Sequence, residues 1–327
     1  MKYVEIVAEA RSANTIMTLA KNVKAYDVRL GVVDEFGMQQ MRLLVADSRL
    51  QKVLDTLQNI LGAHPSARIL VMPVEASLPA PEKDETEEKT PATAAREALY
   101  AGVSKNANLD VNYVVLVLLS TVVAAIGLIE NNIAVVIGAM VIAPLLGPNL
   151  ALGLGTVLGD VPLMRKSVVT NIAGVGLAVV LSVIIGIAWP ADFTSPELMS
   201  RTEAGFGSIA LALASGAAAA LSLTTGLSSV LVGVMVAVAL LPPAATMGIM
   251  IGDGQMELAA GAALLLAINI VCVNLATNIV FFAKGISPRA WLEKQNAKRA
   301  MTIIAAVWSV TLVVLMLIIY LRQTIAG

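Results

Sequence analysis

The sequence is poor in the side chains that build most metal and catalytic sites. It holds one cysteine, Cys272, and one histidine, His64. A single cysteine excludes a disulfide framework and a cysteine-based metal site. Hydrolysis inside a membrane needs a nucleophile with a base, or paired acids, at depth, and neither residue is placed to serve. We therefore predict that the protein is not an enzyme and has no cofactor.

Charge is also scarce, and it avoids the apolar segments. The formal net charge is only -1, so no nucleic-acid partner is indicated. No Asp, Glu, Lys, Arg or His lies in the middle of any apolar segment long enough to cross a bilayer. A proton relay needs such a group at depth, so coupling to protons through a carboxylate or histidine is disfavoured.

What the chain has in excess is apolar residues. They make up 57% of it, and the mean hydropathy of +0.82 is typical of membrane proteins. A helix needs about 20 apolar residues to cross a bilayer. The pattern predicts seven spans, at 111–129, 132–158, 166–189, 207–225, 228–251, 257–283 and 300–321.

The basic residues predict the orientation of these spans. With the amino terminus in the cytoplasm, nearly all Lys and Arg residues near the spans lie inside, and only Arg201 and Arg322 lie outside. Short cytoplasmic loops carry an excess of such residues. We therefore expect a multi-pass protein in the lipid bilayer, with its amino terminus in the cytoplasm and its carboxy terminus outside.

The membrane part contains an internal repeat. Residues 119–141 align without a gap with residues 214–236, and after a small indel the match resumes at Asn171 and Asn269. The identical pairs in the gapless stretch are Ser120/Ser215, Ala124/Ala219, Ala125/Ala220, Leu128/Leu223, Val135/Val230, Gly138/Gly233, Met140/Met235 and Val141/Val236.

Each repeat unit contains three spans, and this number determines its orientation. The units cover 111–189 and 207–283, within a membrane domain at 111–327. An odd number of spans forces the second unit to run upside down. The predicted fold class is therefore an α-helical polytopic membrane protein, a 3+3 inverted repeat with a final helix at 300–321.

Prolines interrupt the second span of each unit. Pro144, Gly147 and Pro148 stand in the first unit, and Pro242 and Pro243 stand in the second. At about 1.5 Å per residue, both breaks fall near or just past the middle of a roughly 30 Å hydrocarbon core. Proline frees backbone groups that need protein, water or an ion as partners at this depth. Matched breaks indicate a midplane binding site; the alternative is simple helix kinks.

Amide side chains at membrane depth complete the candidate site. They are Asn149 after the first break, Asn171 in the third span, and Asn269, Asn274 and Asn278 in the sixth. Asn274 and Asn278 are four residues apart and share one helix face. Buried amides need partners, so these residues are expected to face the bundle interior. The alternative role is interhelical bonding, worth about 0.6 kcal/mol for each pair.

The chemistry of these groups leaves the ligand open. Carbonyl, hydroxyl and amide oxygens suit a sodium-like ion, or a neutral or zwitterionic solute. Helix amino termini exposed after the breaks suit an anion instead. A small solute or ion is therefore the expected partner.

The chain before the spans is of a different kind. Alternating and helical apolar patterns over residues 1–78 predict the order β-α-β-β-α-β, the ferredoxin-like arrangement. Such a cytoplasmic domain binds a small regulator or pairs edge to edge, and we expect a homo-oligomer. Residues 79–110 then combine an acidic, proline-containing linker with an amphipathic helix.

The proline breaks also carry a family resemblance. The stretch from Gly138 to Pro148, GAMVIAPLLGP, together with Leu240 to Pro243, resembles the prokaryotic membrane family called domain of unknown function 389. The resemblance covers about residues 111–283. It implies a bacterial or archaeal inner-membrane protein and supplies no substrate or catalytic residue.

Three classes of function remain, and the sequence favours one. The leading hypothesis is a secondary transporter with its path between the two broken spans. An ion channel is the close alternative, and a non-transporting sensor or scaffold governed by the soluble domain is the other. Replacing the midplane Asn residues changes flux in the first case and only stability in the last.

Overall fold

A computed structural model describes residues 1–62, 66–74, 96–189, 195–225, 240–286 and 291–326. The chain forms two compact units, Met1–Ala98 and Leu99–Gly327. The predicted acidic linker lies largely outside the described residues. So do His64 and the first part of the predicted span at 228–251.

The first unit is an antiparallel sheet with two helices, and its elements follow the predicted order. They are β1 (Lys2–Glu9), α1 (Ala13–Asn22), β2 (Asp27–Val33), β3 (Met38–Val45), α2 (Asp47–Leu61) and β4 (Arg68–Pro73). The strands lie in the order β2-β3-β1-β4. Each pair of neighbouring strands is antiparallel.

Alternation along the central strands builds the core of this unit. Val4 and Ile6 of β1 pair with Leu43 and Met41 of β3, and all four side chains are buried. Because successive strand residues point to opposite faces, this register places the apolar set on one face. The buried residues of α1 and α2, among them Leu57, join the same cluster.

The second unit is helical. Its helices are α3 (Arg96–Asn106), α4 (Val111–Ile129), α5 (Ile133–Ile142), α6 (Leu146–Leu158), α7 (Val161–Ala188), α8 (Pro196–Met199), α9 (Phe206–Thr225), α10 (Leu241–Gly252), α11 (Met256–Ala283) and α12 (Trp291–Ala326). Helix α3 lies within the region predicted to hold an amphipathic helix, and its Leu99 and Val103 are buried.

The described helices include most of the predicted spans. Five are long and apolar enough to cross a membrane: α4, α7, α9, α11 and the part of α12 from Ile304 to Arg322. The pair α5 and α6 passes the same test together, with a bend of 48° at its break. The apolar helix α10 is too short to cross alone. The helical residues thus support a multi-pass membrane protein with five or six spans in the described part.

Three helices in the first half of the second unit have counterparts in its second half that begin at a constant distance along the sequence. Helices α4, α6 and α7 begin at Val111, Leu146 and Val161, and α9, α10 and α11 begin 95 positions later in each case. Helices α7 and α11 have the same length of 28 residues. The Gly residues that follow α6 and α10, Gly159 and Gly254, both have positive φ, 70° and 79°.

This offset changes one prediction made from the alignment. The sequence match pairs Asn171 with Asn269 across an indel, whereas the helix boundaries need no indel. They equate Asn171 with Leu266, and Asn269 with Gly174. Short apolar stretches rich in Val, Leu and Ala match in several registers, so identity alone selected a register that differs by three residues.

Candidate binding site between α6, α7 and α11

The site begins at the break between α5 and α6. Helix α5 ends at Ile142, Ala143 adopts an extended backbone, and α6 starts at Leu146. Pro144 lies in this break and has no N–H with which to continue the α5 hydrogen bonds. Gly147 and Pro148 fall in the first turn of α6, where N–H groups have no intrahelical acceptor, so a proline is tolerated there.

Asn149 follows directly and is the centre of a buried amide cluster. Its Oδ1 accepts hydrogen bonds from Asn171 Nδ2 of α7 at 2.7 Å and from Asn274 Nδ2 of α11 at 2.8 Å. Asn149 and Asn274 are fully buried, and Asn171 is 8% exposed. Three helices therefore meet at one amide oxygen, and the sequence prediction that these residues face the bundle interior agrees with this geometry.

The hydrogen bonds of the cluster determine how its amides are oriented. Asn149 Nδ2 donates to the carbonyl of Leu145 at 2.9 Å, in the break, so its Oδ1 turns toward the other helices. Asn274 Nδ2 donates a second bond, to Ile270 O at 2.8 Å. Both protons of this NH2 group are then used, and Asn274 Oδ1 has no donor among the described residues.

The next turn of α11 carries further polar atoms without partners. Thr277 Oγ1 and both amide atoms of Asn278 are buried and make no hydrogen bond in the described part of the chain. These side chains pack on α6 at Gly153, where an added Cβ would lie 2.5 Å from Thr277 Cγ2 and 3.6 Å from Asn278 Oδ1. A buried polar group without a partner costs about 1–3 kcal/mol, so this face of α11 carries polar atoms whose hydrogen-bonding capacity is unfilled by the described residues.

The second set of prolines lies at the equivalent place on α10. Pro242 and Pro243 are buried in its first turn, and Pro243, like Pro148 of α6, is the third residue of its helix. Helix α10 packs on α7 and α11, the helices that carry Asn171 and Asn274. No hydrogen bond joins its side chains to the amide cluster within the described residues.

One candidate residue lies apart from the cluster. Asn269 is buried on α11, five residues before Asn274. At about 100° per residue it faces roughly 140° away from Asn274. Of the residues predicted for the site, the structure joins Asn149, Asn171 and Asn274, places Asn278 one turn further on, and leaves Asn269 on another face.

Glycine residues allow the helices around the site to approach closely. An added Cβ at Gly248 of α10 would lie 2.5 Å from both Ser182 Cβ and Val179 O of α7. Gly153 and Ser182 are not among the site residues predicted from the sequence. The spacing of four residues between Asn149 and Gly153, on one face of α6, was the available signal.

We expect Gly248→Ala to lower the stability of the folded protein by about 1–3 kcal/mol, because the new methyl group overlaps backbone and side-chain atoms of α7. Gly176→Ala is the matched control, since an added Cβ there meets nothing within 4 Å. It should leave stability unchanged or raise it by about 0.5–1 kcal/mol. Thermal unfolding in detergent measures both, and an equal loss for the two variants would contradict this packing.

The electrostatics of the cluster are those of neutral groups. Its members are amides and hydroxyls, and among the described residues no three His, Cys, Asp or Glu side chains come together to hold a metal ion. The free atoms on α11 are three oxygens, those of Asn274, Thr277 and Asn278, and the Asn278 NH2 group. Oxygen atoms of this kind are suitable ligands for a hard cation, and with the NH2 group they also match the polar groups of a neutral molecule.

The amide cluster of this site lies within the part of the chain that is similar to known proteins. A family model described as a domain of unknown function, DUF389, matches residues 140–275, which include Asn149, Asn171 and Asn274. An uncharacterised protein of Methanocaldococcus jannaschii is 37% identical over 271 residues, 83% of this chain and 84% of that protein. No solved structure matches the chain. The family match and this extent of similarity show that the chain belongs to the DUF389 family.

Proposed function

We propose that the protein is a secondary transporter that moves a small solute or ion past the amide cluster between α6, α7 and α11. The observation that carries this proposal is the set of buried, unpartnered polar atoms on α11, which begins at Asn274 in the amide cluster and continues along α6 to Gly153. Polar groups in membrane spans are costly, and groups without partners are more costly still. Their retention beside Asn149 favours a ligand that completes their hydrogen bonds or coordination.

The numbers of free donors and acceptors narrow the ligand class. The free groups are the carbonyl oxygens of Asn274 and Asn278, the Thr277 hydroxyl and the Asn278 NH2 group, which together offer three donor protons and three acceptor oxygens. An anion is favoured by a positive charge, which these groups do not supply, and it is repelled by the two carbonyl oxygens, which only accept. A monovalent cation or a neutral or zwitterionic solute with donor groups suits the site better than an anion does.

Reciprocal packing supports an inverted repeat. Gly153 of α6 packs on Thr277 of α11, and Gly248 of α10 packs on Ser182 of α7. Gly248 and Thr277 are the residues 95 positions after Gly153 and Ser182, so each contact is the counterpart of the other. Both hydroxyls, Ser182 Oγ and Thr277 Oγ1, are buried and unpartnered. Reciprocal contacts of this kind are expected between two units related by a pseudo-twofold axis, as in inverted-repeat transporters.

The same correspondence supports a discontinuous helix in each unit. In the first unit, α5 and α6 together form one broken span of residues 133–158. In the second, α10 is the counterpart of α6, and the counterpart of α5 falls in a part of the chain that is not described. The break before α6 and the start of α10 at Leu241 both place a helix amino terminus and its prolines inside the membrane domain, as transporters with midplane sites do.

A matched pair of cysteine variants tests the inverted orientation. Val161 and Met256 are the first residues of α7 and α11, lie 95 positions apart, and are 65% and 61% exposed. In a Cys272→Ser background, we expect Met256→Cys to react with an impermeant maleimide added outside whole cells. Val161→Cys should react only after permeabilisation. Labelling of both residues from the same side would contradict the inverted repeat.

The orientation of the termini and the soluble unit belong to the same proposal. The basic residues place the amino terminus inside and the carboxy terminus outside. The strand order β2-β3-β1-β4 supports a ferredoxin-like cytoplasmic unit. Its two edge strands, β2 and β4, expose Leu30, Val32, Leu70 and Met72, which favours edge-to-edge pairing in a homo-oligomer.

Ligand-dependent stability is the experiment that tests the proposed function. The purified protein is heated in detergent with NaCl, LiCl, KCl, choline chloride, sodium phosphate or a panel of zwitterionic amino acids. A ligand that binds only the folded state adds about 2.7 kcal/mol at one hundred times its dissociation constant. Stabilisation by one member that also accumulates in proteoliposomes supports transport. Stabilisation without any flux would favour a sensor, and flux without saturation would favour a channel.

A further inference from the structure

A cavity separate from the amide cluster opens at the start of α7. Its volume is about 710 Å³, and it lies where the turn between α3 and α4 meets the first two turns of α7. The residues that matter for its chemistry are Leu109, Asp110, Arg165, Lys166, Val169 and Thr170.

Hydrogen bonds hold the walls of this cavity in place. Thr170 Oγ1 donates to Ala107 O at 2.8 Å, and Tyr113 Oη donates to Thr170 O at 3.2 Å. Tyr100 of α3 donates to the carboxylate of Asp160, at the start of α7, at 2.7 Å. This hydrogen bond, with burial and the charge of Asp160, raises the pKa of Tyr100 above its ordinary value. The cavity is therefore preformed by bonds between α3, α4 and α7.

The charge balance of the lining is positive. Arg165 and Lys166 are exposed and form no ion pair with any described residue. The acidic side chain in the lining, Asp110, accepts a hydrogen bond from Tyr113 N at 2.7 Å as the cap of α4. Its negative charge is thus turned toward the amino terminus of that helix, which favours it. Two basic groups without partners remain to attract an anion.

The position of the cavity along α7 indicates which anion. Every residue of α7 after Lys166 is uncharged, so this helix enters the apolar layer directly after the basic pair. Val169, one turn later and in the same lining, is 52% exposed, as expected of a side chain that faces lipid. Basic side chains above an exposed apolar wall match the two ends of a phospholipid, since the phosphate meets Arg165 and Lys166 and the acyl chain meets Val169.

We propose that this cavity binds the phosphate headgroup of an anionic membrane phospholipid through Arg165 and Lys166. The site is distinct from the amide cluster and does not depend on the proposed transport function. Basic residues near a membrane surface contribute about 1 kcal/mol each toward anionic lipid. Loss of both residues should therefore weaken binding about 30-fold, at 1.4 kcal/mol for each factor of ten.

Lipid binding to the full chain tests the proposal. Native mass spectrometry and thermal unfolding are performed with phosphatidylglycerol, phosphatidylcholine or inorganic phosphate added to the purified protein. The variants are Lys166→Gln, the double change Arg165→Gln with Lys166→Gln, and Lys284→Gln as the control. The Lys284→Gln substitution also removes one positive charge, but Lys284 lies at the end of α11 and does not line the cavity.

We expect phosphatidylglycerol to bind and stabilise the unchanged protein and the Lys284→Gln variant, with intermediate binding by Lys166→Gln and about 30-fold weaker binding by the double variant. Phosphatidylcholine should bind weakly to all of them. Equal phosphatidylglycerol binding by the double variant would overturn the proposal. Inorganic phosphate that stabilises the protein as well as the lipid does would also overturn it, because the site would then bind a free anion.

Discussion

Asn278→Ala is expected to abolish ligand binding while leaving the protein at least as stable as before. Both amide atoms of Asn278 are buried without a hydrogen-bond partner, so the side chain costs the empty protein stability. Removing it relieves this cost, and the small cavity that remains offsets part of the gain. The same atoms are the free donor and acceptor that a bound ligand would use. The ligand-dependent stabilisation of about 2.7 kcal/mol at one hundred times the dissociation constant should therefore vanish.

The measurement compares thermal unfolding with and without the stabilising member of the ligand panel. Alanine is preferred to leucine here, because Asn278 Oδ1 lies 3.6 Å from the position of a Cβ at Gly153 and leaves little room for a larger side chain. Gly176→Ala serves as the control that changes α7 away from any contact. A variant that loses stability without ligand, and keeps the full ligand effect, would show that Asn278 has a structural role only.

Asn149→Leu is expected to have the opposite effect, a large loss of stability even without ligand. Asn149 Oδ1 accepts from both Asn171 and Asn274, and its Nδ2 donates to Leu145 O. Leucine leaves a buried amide of Asn171 without this acceptor and frees a carbonyl at the helix break. At about 1–3 kcal/mol for each buried group left without a partner, the loss should be about 2–5 kcal/mol.

Asn171→Leu provides the matched comparison for this prediction. It removes one donor from the cluster but leaves Asn149 Oδ1 bonded to Asn274. Its cost should be close to the average of about 0.6 kcal/mol for a hydrogen bond between membrane helices. The double variant Asn149→Leu with Asn171→Leu should lose less than the sum of the two, because they share one bond. Equal and additive losses would mean that Asn149 is not the centre of the cluster.

The sequence predicts the helices and strands of this protein better than it predicts which of them contact one another. Apolar segments of about 20 residues or more identify the spans, because a helix needs about that length to cross the hydrocarbon layer. Alternating residues such as Val4 and Ile6 identify the central strands for a similar reason, since one face must be buried. Helix α5 ends just before Pro144, because a residue without an N–H cannot continue the hydrogen bonds of α5.

The site itself could be predicted only in part. Polarity at membrane depth selects Asn149, Asn171 and Asn274, since a buried amide needs a partner. It also selects Asn269, because polarity alone does not distinguish the faces of a helix; the five-residue spacing from Asn269 to Asn274 is the signal that places Asn269 on another face. Which amides meet depends on where α6 crosses α11, and that crossing is set by the absence of a side chain at Gly153. A glycine in an apolar run gives no sign of the helix it will contact.

Uptake into proteoliposomes tests the central claim most directly. The unchanged protein, Asn278→Ala and Gly176→Ala are reconstituted in equal amounts, and uptake of the stabilising ion or solute is followed as its concentration is raised. We expect saturable uptake by the unchanged protein and by Gly176→Ala. Folded Asn278→Ala should show no saturable uptake above that of vesicles without protein, because its ligand binding is lost. Uptake by folded Asn278→Ala equal to that of the unchanged protein would contradict a transport path through the amide cluster.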